Sequence, residues 1–254
     1  IQGGAQMTEF ELSIDNYEAN KHFFLSQYFY ENYNSALASL PFINSPINIT
    51  KIEVYITNQN SSTINTRNIL AFQDLGESSN ISSPLVSLQG SSLVPTNSNN
   101  SLDPMGGFID DVYAATNDSI RLIDEITSAF SQYSDGANYF NQSIDYEKIE
   151  NARRLSSSEY SYNSQLGFIS LNQSLNSDEV LAVAFQFTYQ GIPYQVGEFS
   201  NDVTAPNTLM LKLLKSTSLD VSQPNWKLLM KNVYSLGAYQ INRDDFVLDI
   251  LYEN

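Results

Sequence analysis

His22 is the only histidine in a chain of 254 residues that contains no cysteine. Thiol chemistry, disulfides and thiolate metal sites are therefore excluded. A single imidazole beside a serine and a carboxylate could activate a nucleophile, but no Gly-x-Ser-x-Gly elbow occurs to present one. Its neighbours Phe23 and Phe24 point instead to a packing role. Adjacent acidic residues occur at Asp110-Asp111, Asp178-Glu179 and Asp244-Asp245. Consecutive side chains on a strand face opposite ways. None of these pairs is then the two carboxylates facing across a cleft that glycoside hydrolysis requires, and solvated turn positions suit them better. A calcium site assembled across loops stays open, since it leaves no contiguous signature; no Asp-x-Asp-x-Asp-Gly run is present. Arg153-Arg154 reads as surface ion pairs. Tyr160, Tyr162, Tyr189 and Tyr194 fall on strand-like segments. There they serve either as a stacking platform for sugar rings or, more ordinarily, as cross-strand packing. No residue is thus assigned as catalytic, cofactor-binding or metal-ligating, and no cofactor is expected.

The chain carries 28 acidic and 12 basic residues, a net charge of −16. Phosphate backbones and anionic headgroups repel such a surface, so nucleic acid is excluded as a partner and anionic lipid disfavoured. Hydrophobic residues make up 42% and aromatics 12%, enough for a packed core. No stretch approaches the roughly 20 apolar residues of a membrane-spanning helix. The opening Ile1-Gln2-Gly3-Gly4-Ala5 lacks an initiator Met and a signal-peptide pattern, and the expectation is one soluble domain, residues 1–254, cut from a larger protein.

The elements that must position these residues are mostly strands. Alternation predicts strands over 8–14, 49–57 and 66–75, the last two forming an antiparallel hairpin. Asp15 with Glu18 resembles a capping box for a helix carrying Tyr17, Phe24, Tyr28, Tyr33 and Leu37. Residues 77–150 read as a mixed insertion, first rich in Ser and Asn, then helical. Strand signals resume near 160–170. A strong hairpin follows, 181–190 with 194–199 about a turn at Gly191-Ile192-Pro193, then strands near 209–213 and 246–252. Residues 226–236 fit either a strand or a helix, the strand being favoured by its neighbours. Val183, Phe185 and Phe187 should share one core with Ile52, Val54 and Ile56. The architecture expected is mainly β: an antiparallel two-layer sandwich, jelly-roll or galactose-binding-like, with inserted helices.

Several blocks also resemble a known family. Asn20-Lys21-His22-Phe23-Phe24-Leu25, Ile52 to Asn58 and Thr66 to Glu77 are similar to the gliding-motility and secretion protein family SprA, also called Sov, of Bacteroidota. So are Leu181 to Tyr189, Tyr194 to Phe199, Leu211 to Lys215 and Met230 to Tyr239. The resemblance implies a soluble insertion of the outer-membrane translocon of the type IX secretion system. Its partners would be the rest of that translocon, accessory or plug subunits and secreted cargo proteins, and its place the cell envelope. It brings no catalytic or metal-binding residues. A non-enzymatic scaffolding or docking module is expected, with a carbohydrate-binding sandwich of a cell-surface protein as the alternative. A hydrolase using scattered carboxylates is the third reading.

Overall fold

A computed structural model describes residues 12–60, 63–73, 75–77, 119–131, 142–218 and 220–237. The fold is mainly β. In chain order the strands are β1 (His22–Phe24), β2 (Ile47–Ile56), β3 (Thr66–Phe72), β4 (Tyr146–Arg154), β5 (Tyr160–Asn163), β6 (Phe168–Leu171), β7 (Leu181–Tyr189), β8 (Ile192–Val196) and β9 (Leu209–Lys215). Helix α1 spans Gln27–Ala36 and α2 spans Ile126–Ser131. The expected strand over 246–252 lies outside the described residues, as do residues 8–11 of the expected strand over 8–14, where Leu12 and Ser13 are not in a strand. Its last residue, Ile14, begins a short 3-10 turn.

β2 and β7 carry the alternation that announced them, and they pair antiparallel from Ile47↔Tyr189 to Ile56↔Leu181. β7 turns into β8 through Gln190 and Gly191, both at positive φ (50° and 81°). That is a two-residue hairpin turn whose twist suits flanking strands, one residue earlier than the Gly-Ile-Pro turn expected. β2 and β3 do not form a hairpin. The sheet runs β2-β4-β3-β9-β7-β8, and an additional pairing joins β2 to β7. Strands β2, β4, β3, β9 and β7 therefore close a ring, with β8 attached to β7 outside it. Closure removes the open edges that a sandwich must protect. This is where the architecture departs from the expected jelly-roll or galactose-binding-like sandwich. The chain also departs from a purely antiparallel sheet, because β9 runs parallel to β3.

Every ring strand is divided between two cores. Tyr55, Ile69, Ala71, Ala152, Ala182, Ala184, Leu211 and Leu213 form one cluster with contributions from all five ring strands. This is the barrel lumen, and alanine at four of these positions lets so small a barrel close around leucines. The alternate residues Val54, Ile56, Leu70, Phe72, Val183, Phe185 and Phe187 belong to the second cluster, with Ile52 packed against it. The core shared by the β7 and β2 residues is thus the one expected, and it lies on the outside of the barrel.

A second sheet, ordered β1-β6-β5, covers that outer face, supplying Phe23, Phe24, Ile169 and Leu171 to the same core. It is fastened to β2 by Ile49 N–H donating to Ser164 O (2.8 Å) and Tyr160 OH donating to Ile52 O (3.3 Å). β1 occupies a stretch expected to be helical. Asn20 adopts a left-handed φ of 52°, which breaks the helix, and the backbone of 22–24 is taken up by sheet pairing. The helix starts only at Gln27. Residues 226–236 are neither strand nor helix throughout: Pro224–Lys227 make a 3-10 turn, and the chain then runs extended along β1. Phe24 N–H donates to Leu228 O, Met230 N–H to His22 O, and Glu18 N–H to Val233 O. This strap covers the β1 edge.

Gly167, at φ 61°, joins β5 to β6, and a Cβ there would lie 2.1 Å from the Phe29 ring of α1. Gly167→Ala combines left-handed backbone cost with that clash and is expected to lose at least about 2 kcal/mol of stability in urea unfolding. A loss below about 0.5 kcal/mol would show that α1 does not sit on this turn.

Candidate functional site

The most chemically suggestive group is built around His22. The β1–β6 register sets His22 opposite Ser170, with Nδ1 2.7 Å from Ser170 Oγ. The Asn20 turn brings Glu18 back so that its Oε2 lies 2.9 Å from His22 Nε2. The other Glu18 oxygen accepts from the Lys21 ammonium. That hydrogen bond is the main cause holding the Glu18 carboxyl below the usual range; desolvation opposes it and the His22 contact assists. Serine, imidazole and carboxylate thus stand in relay order. Acyl transfer further demands preorganised oxyanion donors beside a cleft, and neither described cavity is lined by Ser170. The arrangement can hold a proton between Ser170 and Glu18, and mechanically it clasps β1, β6 and, through the Glu18 N–H, the strap.

Of the acidic pairs, Asp110-Asp111 and Asp244-Asp245 lie outside the described residues. Asp178 and Glu179 do diverge. Glu179 is buried and accepts from Asn176 N–H at 2.7 Å. Asp178 instead lines a cleft of about 330 Å3 with Glu147, Glu150, Thr57 and Thr217. Glu147 is spent on Thr217, accepting from its N–H (2.9 Å) and hydroxyl (2.7 Å). Among the described residues no group of three or more His, Cys, Asp or Glu could hold a metal ion.

The arginines close one mouth of the barrel. Arg153 pairs with Glu159 at 2.7 Å, as its doublet suggested. Arg154 reaches Glu53 (3.3 Å) and Ser200 Oγ (2.7 Å). Glu53 also accepts from Ser200 N–H (2.8 Å) and Tyr55 OH (2.9 Å). Arg67 donates to the carbonyls of Ser200, Val203 and Asn207, and Arg121 grips Glu198. Arg67, Arg121 and Arg154 together seat the 198–207 loop on the barrel end. At the other end Lys215 is buried, and its ammonium donates to the carbonyls of Ser177, Glu179 and Ser216.

The four tyrosines do not form a platform. Tyr194 stacks on Phe187 (5.3 Å, 15°), Tyr189 and Tyr160 pack against the core, and only Tyr162 is largely exposed, at 40%. The residues that sequence reasoning missed are Lys212 and Glu77. Lys212 Nζ meets Glu77 Oε1 at 2.6 Å with both side chains buried, and both Glu77 oxygens accept from Gln27 N–H, the first turn of α1, at 3.2 Å. The available signal was a lysine in mid-strand within Leu209-Met210-Leu211-Lys212-Leu213-Leu214.

Burial raises the phenol pKa values of Tyr55, Tyr146 and Tyr160 in the folded chain, the neighbouring Glu53 or Glu147 adding to it at Tyr55 and Tyr146. Above about pH 10 the unfolded state releases these protons while the folded state keeps them. Stability should therefore fall as pH rises through that value. Lys215 and Lys231, both lowered by desolvation, work in the opposite direction but are outnumbered by the three tyrosines. The thermal midpoint is expected to drop steadily between about pH 9 and 11; a flat or rising profile would contradict the burial of these rings.

A family model, SprA_N, described as a motility related/secretion protein, matches residues 1–180. No curated protein matches the chain.

Proposed function

Because the chain belongs to the SprA N-terminal family of motility-related and secretion proteins, we propose that it is a non-catalytic docking module of a cell-envelope secretion apparatus. The apparatus fitting best is the outer-membrane type IX translocon of gliding Bacteroidota. The module works there by contact with neighbouring translocon parts, accessory subunits or cargo.

The observation that carries this reading is the solid barrel. Its lumen is filled by Tyr55, Ala71, Ala182, Ala184, Leu211 and Leu213, and the loop held by Arg67, Arg154 and Glu53 is seated on one mouth. A filled barrel is a rigid body rather than a conduit, so cargo would be met by the outer surface. No described helix is long and apolar enough to cross a membrane. The expected result of deleting the coding sequence for residues 12–237 in frame within the parent is loss of export and of surface motility. Unchanged export with normal levels of the shortened parent would overturn the proposal.

A further inference from the structure

Leu40 and Phe42 are 67% and 78% exposed, and they flank Pro41 at the tip of the turn that follows α1. The turn is held by backbone: Phe42 N–H donates to Ser39 O (3.1 Å) and Asn44 N–H to Ala36 O (2.9 Å). Two large apolar side chains are thus fixed on a convex point. Single exposed hydrophobes need no explanation, and Ile64, Ile192 and Val221 are of that kind. The exposed residues Leu12 and Ile14 are bracketed in sequence by Glu11 and Asp15. The Leu40–Phe42 tip has a different setting. From Asn32 to Thr50 the chain carries no charged residue, in a protein with 28 acidic and 12 basic side chains.

We propose that the Ser39–Phe42 turn inserts Leu40 and Phe42 into the interfacial layer of a lipid bilayer with electrically neutral headgroups. A convex apolar tip needs no complementary groove, and a fluid acyl boundary accepts it without shape matching. The uncharged Ser39, Asn44 and Ser45 that border the tip lie at headgroup level. Charge selects the bilayer type: with a net charge of −16 the protein is repelled by anionic headgroups, whereas a neutral surface exerts no such repulsion and the charge-free stretch has no ionised side chain to desolvate there. Two side chains make a weak anchor. Partitioning no stronger than that of a single acyl chain, on the order of 10^4 M−1, is expected, so the contact is weak and reversible. This goes beyond the docking role and does not depend on it.

The test uses the 254-residue chain with Trp226→Phe, which removes the only tryptophan, and Phe42→Trp as reporter. Titration with phosphatidylcholine vesicles is expected to shift the indole emission to the blue, and bromine-labelled acyl chains should quench it. Vesicles containing phosphatidylglycerol should do so less. Adding Leu40→Asn should weaken partitioning roughly tenfold or more. Flotation of the unsubstituted chain with neutral vesicles, compared with Leu40→Asn alone, gives the same answer without the reporter. Emission indifferent to neutral vesicles and no flotation would overturn the proposal and leave the tip to a protein partner. Equal or stronger binding to anionic vesicles would overturn it as well.

Discussion

Replacing Lys212 by Met should cost roughly 3–5 kcal/mol, among the largest losses available to any single substitution here. Lys212 is fully buried on the outer face of the barrel, and Glu77 nearly so. Their ion pair joins β9 to the start of α1, because the Glu77 carboxylate also receives the Gln27 N–H. A methionine fills the space of the lysine stem but leaves the carboxylate buried without its cation, and an uncompensated buried charge is the costly half of such a pair. The double variant Lys212→Met, Glu77→Gln should recover a substantial part of the loss, since the remaining amide can still accept from Gln27 N–H. Urea unfolding of the single and double variants measures both quantities. A single-variant loss below about 1 kcal/mol would mean that water reaches the pair.

The second large effect is expected from Phe185→Ala. Phe185 is fully buried, lies 6.3 Å from the Phe187 ring and sits in the core between barrel and second sheet. It pairs Ile52 on one side and Val196 on the other. A rigid barrel wall cannot collapse into the vacated space, so the full transfer and cavity costs apply, roughly 3–5 kcal/mol. A loss under about 0.5 kcal/mol would mean that this face of β7 is not inward.

Phe185 also illustrates what the sequence makes legible. Alternation along Leu181 to Tyr189 identifies the strand and its heavier face. The closure is encoded on the other face, where Ala182 and Ala184 make the run continuously apolar. That is the sign of a strand buried on both sides, and alanine is a faint signal of it. The parallel pairing of β9 with β3 has no local signature, and the intrusion of β4 between β2 and β3 overrides the hairpin that their proximity suggests. Near the N-terminus, Tyr17, Phe24, Tyr28, Tyr33 and Leu37 do recur at helical spacing. Tertiary pairing of His22–Phe24 with β6 and the strap prevails over that periodicity, and only the part from Gln27 is helical. The functional groups divide in the same way. Arg153 with Glu159 is close in sequence and could be anticipated. The serine partner of His22 stands 148 positions away at Ser170, although Glu18 is close in sequence, and Glu77 meets Lys212 across a comparable distance, so neither grouping is complete in any local stretch.

The closed ring has a consequence for how the polypeptide is made. β2 is satisfied along its length only when β7 arrives, with Ile56 meeting Leu181, and β3 waits for β9. A nascent chain that has emerged only as far as residue 180, the end of the matched family segment, still lacks two of its five staves. Such a chain should remain open and chaperone-dependent until the last third is delivered, then close in one cooperative step that is slow for its size because its contacts are so distant in sequence.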